Sequence, residues 1–244
     1  MYKLLALVLI LLPNLALAAI AYDAGAGPYV NNPVTSQTTA FTVGAGSNRL
    51  LVVGVLGDSA ASSGITGITY AGDAMTKALT ERNDSSRAFD VWYLANPDSG
   101  SNNVVITRGV SGLIVSAFTA YSGVDQSTPV PTTAAVDDGS SNNTFSGAIV
   151  TANNNSWAGV FIREEDGGTI TDGAGLDTRV TNVGNGIHMG DSGVAIAVAG
   201  SHTFNAGWSG NFNDAAIMWE MKEAAAAATP AKPILDLVQS FWIF

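Results

Sequence analysis

The sequence predicts an all-β fold, an antiparallel sandwich of two sheets, from three observations. The apolar runs are short and are bounded by Gly, Asn, Asp, Ser and Pro, and 27 of the 244 residues are Gly. Before residue 224, no long stretch repeats its apolar residues with the 3.6-residue period of a helix. Instead, about ten to thirteen β-prone segments follow one another at intervals of about 8–15 residues, which is typical of a sandwich or barrel. We therefore expect one β-sandwich domain over residues 19–224.

The strands predicted in the first half of this domain lie between residues 50 and 121. Leu50–Leu56 is a continuous apolar run of strand length, which predicts a strand buried on both faces. The next segment has an apolar or aromatic side chain at every second position, namely Phe89, Val91 and Tyr93. Trp92 then shares the other face of that strand with Asp90. Further β-prone runs over residues 102–108 and 112–121 complete this half.

The second half contains three more predicted strands and two long loops. The first strand has an alternating apolar face formed by Val194, Ile196 and Val198. One face of the second strand is formed by His202, Phe204, Ala206 and Trp208. In the third strand, Ile217, Trp219 and Met221 point one way, while Met218, Glu220 and Lys222 point the other. The loops are predicted at residues 124–143 and 164–193, and loops of this length are more often functional or mobile than filler.

Both ends of the chain predict segments outside the sandwich. Residues 1–18 combine a short basic start, an apolar run and Ala16-Leu17-Ala18, which is the anatomy of a secretory signal peptide; an uncleaved anchor is the alternative. Residues 225–233 form an Ala/Pro linker to an amphipathic tail over residues 234–244. The apolar tail residues are Leu237, Phe241, Trp242 and Phe244. We expect the tail to dock on its own sandwich, on another copy or on a protein or cell-surface partner, since it is too short to span a bilayer as a helix.

The composition excludes several classes of function. The net charge of −10 repels phosphate backbones, so no nucleic-acid partner is expected. The absence of Cys excludes disulfides, thiol nucleophiles and cysteine-ligated metal sites. His188 and His202 are the only histidines of the chain, so a multi-histidine metal centre is not expected either. We expect each histidine to be a hydrogen-bonded structural residue.

Three kinds of site stay open from side-chain chemistry. Glu164, Glu165 and Asp166 offer the oxygen ligands that calcium prefers, although their spacing is not that of a dedicated calcium loop, and solvated turn carboxylates are the alternative. Glu164 or Glu165 could be a catalytic carboxyl group of a glycoside hydrolase, which needs two such groups on either side of one cleft. Adjacent residues of a strand point to opposite faces, so Glu164 and Glu165 cannot form this pair by themselves. Trp157 and Trp208 stand beside polar turn residues, where an indole ring either stacks on a sugar or packs in the core.

Several short sequence segments, which follow one another in a fixed order, resemble those of a recurrent protein module. The series begins with Asn48-Arg49-Leu50-Leu51-Val52-Val53-Gly54-Val55 and continues over residues 64–72, 91–97, 103–107 and 117–129. These strings together resemble an uncharacterised β-sandwich module of exported bacterial, metagenomic and phage proteins. The resemblance covers about residues 20–224 and implies a jelly-roll-like sandwich, often found beside adhesive or surface modules. It brings no catalytic residues with it. Within the last string, Asp125-Gln126-Ser127-Thr128-Pro129 is expected to cap a strand and open a turn.

These observations predict an exported, non-catalytic structural or adhesive protein that acts in surface attachment or assembly. This expectation rests on the predicted signal peptide, on the ordered sequence segments that carry the resemblance, and on the lack of a complete set of catalytic residues. The alternative is a glycan-binding module built on Trp157 and Trp208, with or without help from calcium. A glycoside hydrolase built on Glu164 or Glu165 is the third hypothesis.

Overall fold

The fold is given by a computed structural model, which describes residues 19–58, 63–82, 87–137, 142–164, 169–182, 186–212 and 214–225. These residues form fifteen strands and no helix. The first seven strands are β1 (Ala21–Val43), β2 (Leu50–Gly57), β3 (Ile65–Tyr70), β4 (Asp73–Ala74), β5 (Thr76–Arg82), β6 (Ala88–Ala95) and β7 (Gly100–Ser122). The others are β8 (Thr133–Asp137), β9 (Asn142–Val150), β10 (Trp157–Glu164), β11 (Ile170–Asp172), β12 (Asp177–Asn182), β13 (Ile187–Asp191), β14 (Ser201–Phe212) and β15 (Asp214–Met221). The predicted signal peptide and the 234–244 tail lie outside the described residues.

The strands form three antiparallel sheets. The first sheet has seven strands in the order β4-β3-β7-β2-β6-β5, with β1 also paired to β7. The second has five strands in the order β12-β13-β10-β15-β8, and the third has three in the order β11-β14-β9. The sheets pack against each other, so the prediction of an all-β antiparallel sandwich is confirmed. The strand pattern predicts two sheets, whereas β9, β11 and β14 form a small additional one.

Three apolar clusters form the interior of the protein. The central core joins the two large sheets, and within it the rings of Phe89 and Phe161 lie 5.7 Å apart in an edge-to-face contact. The first-sheet core contains residues of the first sheet alone, such as Phe41 and Phe118, whose ring centroids are 5.6 Å apart. The third-sheet core joins the second and third sheets through residues such as Phe204. Burial of each large apolar side chain contributes about 1.5–3 kcal/mol, so the central core and the third-sheet core hold the layers together.

Strand β2 contributes to two of these clusters, as the continuous run Leu50–Leu56 predicts. Its residues in the central core are Leu50, Val52 and Leu56, and those in the first-sheet core are Leu51, Val53 and Val55. Between them, Gly54 allows the two large sheets to approach closely, because a Cβ at this position would lie 2.6 Å from the Phe161 ring. The both-face burial predicted for this strand is therefore confirmed.

The prediction of strands and loops in the second half needs correction. Residues 194–198 do not form a strand. Ile196 makes only an isolated β-bridge with Ser156, and Val194 and Val198 are 68% and 73% exposed. The long loop predicted at residues 164–193 contains β11, β12 and β13, and the loop at 124–143 contains β8 and the start of β9. Strands β8, β11, β12 and β13 span three to six residues and carry Asp and Thr or His among their apolar residues, so they are too short to show a clear apolar alternation.

Candidate functional site

Buried polar side chains gather where the strands of both large sheets end together, which we call the Glu164 end. Gly57 pairs with Ala88 at the end of the β2–β6 ladder, and Glu164 pairs with Asp214 at the end of the β10–β15 ladder. The Phe89–Phe161 contact lies next to both positions, which places these two ladder ends at the same end of the sandwich. The polar groups of this end form two clusters and one ion pair.

The first cluster contains Glu164, His188 and Asp214, which are at most 1% exposed. Glu164 ends β10 and lies directly opposite Asp214, and His188 on β13 lies opposite Ile162. The two-residue period of the strands therefore puts all three side chains on one face of the second sheet. The Nε2 atom of His188 is 3.9 Å from Oε1 of Glu164, and its Nδ1 atom shares a hydrogen bond of 2.7 Å with Thr181 Oγ1. The expectation that His188 is a hydrogen-bonded histidine is confirmed.

Arg163 and Gly186 close this cluster. Arg163 is fully buried and donates a hydrogen bond from Nη1 to the Gly186 carbonyl, at 3.3 Å. The Glu164 backbone N–H donates to the same carbonyl, at 2.8 Å. Gly186 has a φ of +55°, and a Cβ there would lie 2.0 Å from the Glu164 carbonyl oxygen. Both bonds reach the same carbonyl, so they tie the end of β10 to the residue that precedes β13.

The complete burial of this cluster bears on the hydrolase hypothesis. The two carboxyl groups that share a face, those of Glu164 and Asp214, are both 0% exposed. A glycosidase carboxyl group must touch its substrate. The geometry of the described residues therefore favours a structural role for Glu164.

The predicted calcium ligands are only partly described. Glu164 is buried beside His188, whereas Glu165 and Asp166 lie outside the described residues. Within the described ranges, no three His, Asp or Glu side chains are grouped so that they could hold a metal ion. Calcium binding by this segment stays a prediction.

The second cluster surrounds Asp90 on β6, which is 0% exposed. Its Oδ1 atom accepts a hydrogen bond from Thr80 Oγ1 at 2.7 Å, and its Oδ2 atom accepts one from Ser63 Oγ. Lys77 Nζ lies 2.9 Å from Oδ2 and 5.0 Å from the centre of the Trp92 ring. Trp92 Nε1 donates to the same Oδ2 at 3.4 Å, which confirms that Trp92 and Asp90 share a face. Four donors satisfy this carboxylate, as a buried charge requires.

The ion pair of the Glu164 end is formed by Asp58 and Arg108. Arg108 Nη1 lies 2.6 Å from Asp58 Oδ1, and the Leu113 backbone N–H donates to Asp58 Oδ2 at 3.0 Å. Arg108 also donates to the Leu113 carbonyl. These bonds join the end of β2 to the middle of β7.

The opposite end of the sandwich carries a third polar network, around Asp191. Arg179 donates to Asp191 through Nε and Nη2 at 2.9 and 3.0 Å, a bidentate pair. The Tyr121 hydroxyl donates to Oδ2 of the same carboxylate at 3.1 Å. Burial, reinforced by the Asp191 charge, raises the pKa of Tyr121 well above its ordinary value of 10.0. The network links the first sheet, through β7, to β12 and β13 of the second.

The turn predicted at Asp125 forms as expected. Its Oδ1 atom accepts backbone hydrogen bonds from Ser127 and Thr128 at 3.0 and 2.8 Å. These bonds, above all the one from Thr128, hold the pKa of Asp125 well below its ordinary value of 3.8. The side chain therefore caps the end of β7 and starts the turn toward β8, as the residue types predict.

The two tryptophans proposed for sugar stacking lie in the core. Trp157 is 8% exposed, and its ring packs edge-to-face on Tyr121 with centroids 6.4 Å apart. Trp208 is 6% exposed and belongs to the third-sheet core. Little of either ring is open to a sugar, so their positions favour packing over ligand binding. His202 lies on the same strand face as Trp208, six residues away, and makes a 2.8 Å hydrogen bond to the Gly175 carbonyl, so the expectation of a hydrogen-bonded histidine is confirmed.

The third sheet presents a solvent-facing side that sequence reasoning overlooked. Its inward residues, including Phe145 on β9 and Phe204 on β14, fill the third-sheet core. The alternate residues form what we call the outer face: Thr144, Ser146, Ala148, Val150, Ser201, Thr203, Asn205 and Gly207. They are exposed or half-buried, and none carries a charge. The signal for this face was the alternation in residues 143–150, which lie at and beyond the end of the predicted 124–143 loop and were not predicted as a strand.

Comparison with known proteins places the chain in no family, since no protein-family model matches it and no curated protein matches it. Among the described residues, no helix is long and apolar enough to cross a membrane.

Proposed function

We propose that this chain is an exported, non-catalytic β-sandwich protein that acts in surface attachment or assembly. The observation that carries the proposal is the uncharged outer face of the third sheet, formed by side chains of Thr, Ser, Asn, Ala, Val and Gly. The chain as a whole has a net charge of −10. A face without charges is where such a chain can approach a surface or another protein without removing charged groups from water.

Exposed valines extend this uncharged surface. Val150 is 67% exposed and ends β9, and Val194 and Val198, in the loop between β13 and β14, are 68% and 73% exposed. The loop lies beside the outer face, because Ala199 N–H donates to Asn154 Oδ1 at 2.9 Å and Gly200 bonds Thr151. Exposed apolar groups next to an uncharged face support a contact surface.

The apolar tail supplies a second proposed contact. The described chain leaves the sandwich after Ala224, whose N–H donates to the Gly123 carbonyl at 2.8 Å. The tail residues Leu237, Phe241, Trp242 and Phe244 lie beyond this point. In the proposed function, the sandwich is the stable body and the tail strengthens its retention at a surface.

Deletion of residues 229–244 tests the proposal. Secreted protein is collected from the expressing cells, and the cell-associated and released fractions are compared with those of the full chain. We expect the deletion to lower the cell-associated fraction at least threefold, with an unchanged thermal melting curve. A matched control, Asp236→Ala with Gln239→Ala, alters only polar residues of the tail and should retain the full fraction.

Two outcomes would count against the proposal. Equal retention with and without residues 229–244, together with equal size-exclusion behaviour, would remove the tail from the function. Binding on a glycan array that disappears with EDTA would instead favour the calcium-assisted glycan-binding alternative.

A further inference from the structure

Several sheet edges of this protein carry features that hinder pairing with another chain. Strands β4 and β11 span two and three residues, and β8 spans five and ends in Asp137. Charged side chains occupy β5 and β12, namely Lys77, Glu81, Asp177 and Arg179. The long edge strand β1 contains Pro28 and Pro33 and several register shifts. Short length, charge, proline and bulges are the means by which natural proteins stop an edge from pairing with another chain.

Within the described residues, strand β9 has only one of these protections, a register shift in its pairing with β14 between Asn142 and Thr144. It spans nine residues, Asn142–Val150, and lies at the end of the order β11-β14-β9. Its sequence, NNTFSGAIV, contains no charge and no proline, and Thr, Phe, Ile and Val favour strands. Its exposed side chains belong to the uncharged outer face. Such an edge is a ready template for an added strand.

We propose that β9 pairs with β9 of a second copy, antiparallel, across a two-fold axis. This inference rests on the assembly part of the proposed function and names the partner as the chain itself. The two third sheets then join into one six-stranded sheet with the order β11-β14-β9-β9-β14-β11. Antiparallel pairing of a strand with its own copy is self-complementary, so the assembly closes at two chains.

The charge distribution places a contact between two copies at this edge. Two chains that each carry a net charge of −10 repel one another, so a contact between them needs a region without carboxylates. The β9 edge and its outer face provide that region in the described residues. Full overlap of residues 142–150 places Ser146 opposite Ser146 of the second copy and brings Val150 over the start of the other β9. Val150, now 67% exposed, lies opposite Asn142 of the second copy in this register.

A lysine on the edge strand tests the pairing. Ala148→Lys puts a charge on β9, on the solvent-facing side where the interior is not disturbed. Thr203→Lys is the matched control, since Thr203 lies directly opposite Ala148 on the central strand β14 and on the same face. We expect the full chain, 25.0 kDa, to sediment as a dimer of twice that mass. The Ala148→Lys variant should weaken dimerisation at least tenfold, and the Thr203→Lys variant less than threefold.

Cross-linking provides a second readout that does not depend on affinity. The chain has no Cys, so a single introduced cysteine reports on one position. Ser146→Cys should form a disulfide-linked dimer under mild oxidation, whereas Thr203→Cys, one strand away from the axis, should stay uncross-linked.

The two readouts can overturn the proposal. A full chain that sediments as a monomer at every concentration, or a Thr203→Lys variant as disruptive as Ala148→Lys, would reject edge pairing. Failure of the β9 pairing can be distinguished from failure of the proposed function. If the full chain is a monomer but still loses surface retention when residues 229–244 are deleted, the pairing is refuted and the proposed surface attachment is not. Circular dichroism of each variant confirms that the sandwich is folded.

Discussion

Replacement of Glu220 by Gln should destabilise the fold strongly, although the change is isosteric. Glu220 lies on β15 and is 0% exposed. Its Oε2 atom accepts a hydrogen bond from the Ala152 backbone N–H at 2.9 Å. Its Oε1 atom accepts two bonds, from the backbone N–H and the side-chain amide of Asn153, at 2.8 and 3.1 Å. One carboxylate thus holds the turn that connects β9 to β10.

The expected loss of stability follows from the number of hydrogen-bond acceptors that Gln retains at residue 220. A Gln side chain has one oxygen, so one of the two positions becomes an NH₂ group that faces a backbone N–H. Leaving a buried donor without an acceptor costs about 1–3 kcal/mol, and the remaining bonds lose the strengthening effect of the charge. We expect Glu220→Gln to lower the free energy of unfolding by about 2–4 kcal/mol, a large part of the roughly 5–15 kcal/mol of a typical domain.

Urea denaturation followed by circular dichroism measures this loss. Glu223→Gln is the matched control, because it makes the same charge change three residues later on a half-buried side chain. We expect the control to change stability by less than about 0.5 kcal/mol. The reasoning would be refuted if the two variants unfolded at the same urea concentration, since the carboxylate at residue 220 would then contribute no more than a surface charge.

Three further predictions follow from single residues. Gly186→Ala should cost at least about 2 kcal/mol in thermal unfolding, because φ is +55° and the Cβ would meet the Glu164 carbonyl, whereas Gly200→Ala, with its nearest neighbour at 3.9 Å, should be close to neutral. The pKa of Asp125 is lowered in the folded protein, so its carboxylate stabilises the fold above the unfolded pKa of 3.8, and this stabilisation is lost as the pH falls below that value. The difference in unfolding free energy between wild type and Asp125→Asn should therefore shrink in acid. A difference that stays constant with pH would contradict the role given to the Asp125 carboxylate. The pKa of Tyr121 is raised, so its contribution is present below its unfolded value of 10.0 and is lost as pH rises above it; in an ultraviolet titration its ionisation should accompany alkaline unfolding, and Tyr121→Phe should remove that step.

The strands with strong local patterns could be predicted from the sequence. Leu50–Leu56 is apolar at every position, and a strand of this kind must be covered on both faces wherever it lies. The alternation of Ile217, Trp219 and Met221 likewise identified the side of β15 that faces the central core. The turn at Asp125 was also predictable, because its hydrogen bonds reach only two and three residues along the chain.

The strands of the predicted 164–193 loop could not be recognised in the same way. Strand β11 is held by hydrogen bonds to β14 and strand β13 by hydrogen bonds to β10, which come from other parts of the sequence, and β12 then pairs with β13. The error at Val194 and Val198 has the opposite cause: an apolar alternation is present there, but among the described residues only the isolated bridge between Ile196 and Ser156 pairs with it. Pairing partners distant in sequence decide both cases.

The sequence by itself determined that this chain forms β-strands and which sides of the strongest ones are apolar, because side-chain alternation is a property of the local backbone. The tertiary structure alone decided which polar and aromatic groups are covered. Glu220 sits on what the sequence presents as the polar side of β15, yet the third sheet and the 152–155 turn enclose it. Trp157 and Trp208 stand beside polar turns, yet distant strands cover their rings. Burial depends on what packs above a residue, and that layer comes from elsewhere in the chain.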